Sequence, residues 1–178
     1  KIKIRKKIVA DGLKNKDYNL DKNGIHVNAK EFNELLVNEN TITIDMRNHY
    51  ESEIGHFEGA NLPDVDSFRE SLPIINEKFK KFKKTKNILM FCTGGIRCEK
   101  AQGYLVENGI NSFKQLKGGI INYLIETDGK YWDGECFVFD DRITIDKELN
   151  PTYKNLCPSC QVVINSIDRT YCDCNKIL

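Results

Sequence analysis

The segment Asn87-Ile88-Leu89-Met90-Phe91 runs straight into Cys92-Thr93-Gly94-Gly95-Ile96-Arg97-Cys98, and this junction restricts the fold more than any other stretch of the chain. A short apolar run without polar alternation predicts a strand covered on both faces, as in parallel sheets flanked by helices. The glycine-bearing turn then leads into a helical pattern over 98–108, with Ala101, Tyr104 and Leu105 inward and Asn108-Gly109 as its stop. The same alternation recurs on either side. Asn28 is placed to cap a helix over 29–37, in which Phe32, Leu35 and Leu36 share a face. The β-branched run at 41–45 reads as a buried strand. A polar, turn-rich stretch reaches Asp66, and a helical region follows from Ser67 to about Phe82, interrupted at Pro73. A last short strand at 113–116 gives way to Gly118-Gly119 and a helix over 120–126. Strands alternating with helices predict an α/β fold with a parallel sheet flanked by helices.

This core unit is expected over residues 25–127. Residues 1–24 read as a basic strand and polar linker left from a missing N-terminal domain, because alternation of Ile2, Ile4, Ile8 and Val9 begins at once behind Lys1. Residues 128–178 read as a small appendage, β-rich to about residue 150 and Cys-rich from Pro151. An aromatic content of 10% and a net charge of +1 exclude a disordered chain. No apolar run approaches the ~20 residues of a membrane helix, and the start lacks the apolar stretch of a secretory signal. The expectation is a cytoplasmic protein that makes no use of a membrane. In that setting the seven cysteines point to metal binding or catalysis rather than disulfides.

Cys92 has the setting of a reactive thiol. It stands at the C-terminal end of the buried strand, where open α/β sheets bind ligands. Amides of a Gly-bearing loop and a helix N-terminus favour the thiolate, and Arg97 adds a permanent cation. Loop length bears on the chemistry. Four residues separate Cys92 from Arg97, whereas cysteine phosphatases place five there to wrap a tetrahedral phosphate. The shorter loop suits a single sulfur atom carried as a persulfide.

With its supporting residues, the loop resembles the rhodanese family. Ile44-Asp45-Met46-Arg47 stands at a strand end, Gly55-His56-Phe57-Glu58-Gly59-Ala60 in the loop after it, and Leu116-Lys117-Gly118-Gly119-Ile120 after the last strand. A narrower resemblance lies within it. Cys92-Thr93-Gly94-Gly95-Ile96-Arg97-Cys98-Glu99-Lys100-Ala101 is similar to the loop of the rhodanese-related bacterial proteins that hydroxylate the wobble uridine of tRNA. Gly134-Glu135-Cys136-Phe137-Val138-Phe139-Asp140-Asp141-Arg142 resembles that group's next signature, and Arg5-Lys6-Lys7-Ile8-Val9 its entry into the rhodanese domain. The resemblance implies Cys92 as the essential cysteine, tRNA as partner, and conversion of uridine to 5-hydroxyuridine with molecular oxygen. No flavin or haem motif is present, so no cofactor for catalysis is evident. The alternative is a rhodanese-type sulfurtransferase working through a Cys92 persulfide.

Other residues carry weaker signals. Cys98 is either a resolving partner for Cys92 or a small hydrophobe on a helix. Asp45 and Arg47 are expected to form a structural ion pair near the loop, and His56 to fix its own loop by hydrogen bonds. Cys157, Cys160, Cys172 and Cys174 form two close pairs that suit zinc, or else are reduced thiols of a terminus. Lys80, Lys81, Lys83 and Lys84 belong to a basic cluster at 78–86 that would meet RNA phosphates, or else form a solvated face. Trp132 and Tyr131 are expected in a core rather than stacked on a base.

Overall fold

A computed structural model describes residues 9–13, 24–80, 87–152, 154–157, 160 and 162–164. In chain order, β1 (Ile25–Val27), α1 (Ala29–Leu36) and β2 (Thr41–Asp45) lead to a single helical turn, α2 (His49–Ser52), and β3 (Gly55–Phe57). Then come α3 (Phe68–Lys80), β4 (Asn87–Phe91), α4 (Ile96–Glu107), β5 (Phe113–Leu116) and α5 (Gly119–Glu126). Five short strands complete the order: β6 (Trp132–Gly134), β7 (Cys136–Phe137), β8 (Thr144–Ile145), β9 (Asn155–Leu156) and β10 (Val163–Ile164).

β1, β5, β4 and β2 form one parallel sheet in that order. β4 lies inside it, and its residues alternate between two cores. Leu89 and Phe91 join Phe32, Phe57, Ile120 and Tyr123 on one face. Ile88, Met90 and Cys92 join Leu72, Ile75, Phe79, Ala101 and Leu105 on the other. Burial on both faces is why the run carries no polar residue after Asn87.

Local chemistry sets the helix starts. The Asn28 side chain accepts from the Glu31 amide at 2.9 Å, and the Glu31 carboxylate accepts from the Asn28 amide at 3.0 Å, a capping box that fixes α1. Two expectations are corrected. α3 is continuous through Pro73 rather than interrupted there. Phe68, Leu72, Ile75 and Phe79 bury one face of the helix, while Pro73 is exposed, so the carbonyl it leaves unbonded can be solvated. α4 begins at Ile96, ahead of the expected 98, because Gly95 adopts φ +98° and turns the chain directly into the helix.

The core does not stop at residue 127. β6 pairs antiparallel with β3, opposing Trp132 to Phe57, and their rings are 5.0 Å apart. Trp132, Cys136, Val138 and Ile145 all belong to the core containing Phe91. The first part of the C-terminal region therefore completes the sheet's cover, and Trp132 packs there as expected. β7 with β8 and β9 with β10 form two small antiparallel pairs. The basic strand expected at 1–8 and the linker at 14–23 lie outside the described residues. Among those described, no helix is long and apolar enough to cross a membrane.

Candidate active site

The parallel register sets Asp45 beside Phe91, so the ends of β2 and β4 deliver Asp45, Arg47 and Cys92 to the same edge of the sheet. Cys92 is 2% exposed. Its sulfur accepts a hydrogen bond from the Gly95 amide at 3.1 Å, made possible by the left-handed conformation of that glycine. The thiol of Cys98, one turn into α4, donates to the same sulfur. That bond is the main influence lowering the Cys92 pKa to about 6. Burial opposes it, while the Arg97 charge and the amides of Cys98 and Arg97 reinforce it. Cys98 moves the other way, well above the ordinary thiol range, through burial and the neighbouring sulfur. The two shifts favour the thiolate on Cys92 over one on Cys98.

Arg97 does not point freely into solvent. Its guanidinium donates to both carboxylate oxygens of Glu51, at 2.6 and 2.7 Å, and to the Thr93 hydroxyl at 3.2 Å. Glu51 is fully buried. Burial alone would lower the Arg97 pKa, but the bonds and charge of Glu51 outweigh it and raise it. Behind this pair, Arg47 holds Asp45 through Nε at 2.9 Å and Nη2 at 2.6 Å. The same side chain donates to the backbone oxygens of Gly55 and Glu51, tying β2 to α2 and β3. Asp45 and Arg47 are therefore scaffold for Glu51. The His56 ring bonds the Ser52 carbonyl at 2.9 Å, which holds β3 to α2. Cys136 is pushed up to about 12, chiefly by burial, and stays a neutral thiol.

A pocket of about 560 Å³ opens over Cys92, within the ~300–1,000 Å³ range of small-molecule sites. Cys92, Thr93, Gly94, Ile96 and Arg97 line it, together with Val9, Ala10, Asn48, Tyr50, Ser67, Phe68 and Phe139. Gly95 and Cys98 support the loop without forming its wall, and His56 takes no part in the lining. Glu51 is not among the site residues expected from the sequence. The spacing Asn48-x-x-Glu51 is the available signal, since the Asn48 amide donates to the Glu51 carboxylate at 3.1 Å in the manner of a helix start. Nothing in sequence spacing points to Val9 or Phe139 as pocket walls. Of the tail cysteines, Cys157 is buried and Cys160 exposed, while Cys172 and Cys174 lie outside the described residues. Lys80 is exposed at the end of α3, and Lys81, Lys83 and Lys84 likewise lie outside. No cluster of three metal-ligating side chains occurs among the described residues.

Known proteins resemble this chain in sequence and fold. The rhodanese-like domain model matches residues 28–126. A tRNA uridine(34) hydroxylase of Leptospira interrogans is 50% identical over 146 residues, covering 80% of this chain and 40% of that protein. One from Picosynechococcus is 41% identical over 172 residues, covering 96% of this chain and 57% of the relative. The chain thus spans about half the length of these curated relatives. A solved structure from Rhodopseudomonas palustris CGA009, described as a protein of unknown function and possible tyrosine phosphatase, has a TM-score of 0.50 at 16% identity. That match covers 60% of this chain and 84% of the other, and it is a likeness of fold alone. The parallel sheet, the cysteine loop and the family match over more than half of the residues agree: the chain belongs to the rhodanese-like family.

Proposed function

We propose that this chain carries the reactive-cysteine unit of a tRNA uridine hydroxylase. It would act on the wobble uridine in the cytoplasm with Cys92 as the nucleophile, one atom of molecular oxygen entering the base and the other leaving as water with two electrons from an external reductant. The carrying observation is the Cys92 sulfur on the wall of a largely apolar pocket, accepting from the Gly95 amide at 3.1 Å, a setting that lowers its pKa to about 6. A thiolate adds readily to C6 of a uracil ring, and that addition makes C5, the carbon to be hydroxylated, electron-rich. Arg97 is the one cation among the described lining residues, and Glu51 already occupies it. With Cys92 ionised, the cluster of Cys92, Glu51 and Arg97 carries a net negative charge. That charge favours a neutral base over thiosulfate and sets the sulfurtransferase reading second.

The similarity to tRNA uridine(34) hydroxylases supports the same reading. The supporting roles assigned to Asp45, Arg47 and His56 belong to it, as does tRNA contact by Lys80, Lys81, Lys83 and Lys84. Zinc held by Cys157, Cys160, Cys172 and Cys174 would order the tail. The division into a preceding domain, the rhodanese-like unit and a Cys-rich end belongs to it too.

The test is nucleoside analysis of tRNA from cells carrying the full-length gene, a Cys92→Ser allele, or a Glu-for-Lys replacement at those four lysines. The intact gene should give 5-hydroxyuridine, the serine allele none, and the lysine variant less, with weaker and less salt-dependent tRNA binding. Hydroxylation surviving in Cys92→Ser would overturn the reading. Thiosulfate turnover without hydroxylated uridine would establish sulfur transfer instead. Purified protein should carry about one zinc per chain by the four-thiolate geometry, and metal-free protein would remove that assignment.

A further inference from the structure

Phe139 is 68% exposed, although Phe137 and Val138 before it are buried. Its place sets it apart from the other exposed apolar side chains: together with Ile96 it lines the Cys92 pocket. The ring is held rather than loose. Phe137 packs against it edge-on, with centroids 5.1 Å apart, and the Arg97 guanidinium lies 5.7 Å from its centroid. The neighbouring rim residue Ile96 is also 44% exposed, so the entrance is an apolar lip above a charged floor. Val9 and Phe139 both lie outside the stretch that matches the rhodanese-like model, 28–126. The cysteine loop therefore lies within the matched stretch, while part of the pocket's wall comes from residues outside it.

We propose that Phe139 is the stacking residue for the substrate base: an unpaired pyrimidine, turned out of its strand, lies against the Phe139 ring with its reacting edge toward Cys92. The inference rests on the hydroxylase reading for the identity of the base. The physical case is that single-stranded bases are taken by stacking on aromatic rings after leaving their neighbours. A ring held by Phe137 and Arg97 yet 68% exposed still offers surface for that. Because Phe139 is mostly exposed, removing its ring subtracts little packing from the fold, so loss of function in a variant will not simply report unfolding.

Two measurements in the full-length protein test this. The first compares Phe139→Leu, which keeps apolar bulk, with Phe139→Tyr, which keeps the ring. Stacking in both the bound and the reacting state should appear as a KM for tRNA raised roughly 5- to 150-fold in Phe139→Leu, with kcat little changed and KM restored in Phe139→Tyr. The second irradiates an anticodon stem-loop carrying 5-iodouridine at the wobble position and maps the adduct, a readout that needs no turnover. An adduct on Phe139, lost in Phe139→Leu, supports the proposal even if no hydroxylation is found, in which case the hydroxylase reading alone fails. An adduct elsewhere, no adduct, or an unchanged KM in Phe139→Leu overturns it.

Discussion

Cys92 is made acidic first by a donated hydrogen bond from Cys98 and only then by the Arg97 charge, against the penalty of burial. Cys98 is therefore a positioning residue for a proton. The rate of Cys92 alkylation by iodoacetamide should rise with pH around a midpoint of about 6. In Cys98→Ala the midpoint should move up toward the ordinary thiol value near ~8.5, and Cys98→Ser, which keeps a donor, should move it less. An unchanged midpoint in Cys98→Ala would assign the acidity elsewhere. The shift also ties stability to pH. A thiol whose folded pKa lies below its unfolded value binds fewer protons when folded, so folding gains stability as pH rises between the two values. Relative to Cys92→Ser, the native protein should grow more stable from about pH 6 toward pH 9 and lose that advantage below pH 6. A urea-midpoint difference, native minus Cys92→Ser, that stays flat or falls between pH 6 and pH 9 would contradict this.

The start of α5 is what keeps the cysteine loop turned the right way. The Ile120 and Ile121 amides donate to the carbonyls of Cys92 and Thr93 at 3.0 and 3.2 Å, which leaves the loop's own amides for the sulfur. Gly119 permits the approach. It has φ +69°, and a Cβ there would lie 2.5 Å from both carbonyl oxygens. Gly119→Ala should lose ~1–3 kcal/mol from backbone strain alone, more from the clash, and should raise the Cys92 alkylation midpoint. Gly59→Ala is the control, since its φ is +72° but nothing lies within 4 Å of the added carbon. It should lose stability and leave the thiol unchanged. Equal effects on the thiol would show that α5 does not hold the loop. The glycine pair is legible in the sequence as a turn and a helix start, because turns declare themselves locally. What it faces is not, because the Cys92 carbonyl is brought there by the fold. The same distinction separates Asn28, whose capping partner is three residues away, from Glu51, whose partner Arg97 is 46 positions on. Phe139 escapes for a third reason: in Phe137-Val138-Phe139, residue type alone does not say which ring stays outside.

Across the whole molecule, β4 divides two cores, and the one containing Phe91 is closed by residues from β6 onward. Trp132 is the only tryptophan and is 2% exposed between Phe57 and Arg47. Trp132→Ala should lose about 3–5 kcal/mol, and a chain cut after residue 127 should lose its cooperative thermal transition. A shortened chain that melted as sharply as the longer one would show that residues 128–150 only decorate the fold. Because the sulfur depends on residues later in the chain, the order of synthesis in the cell matters to it. A ribosome releases Cys92 before the residues of α5 that take its carbonyl, and well before the ring at 139 that rims its pocket. For the seconds in between, the growing chain holds the cysteine and its neighbours Arg97 and Cys98 without the amides of α5 or the ring at 139, and the finished pocket waits for both.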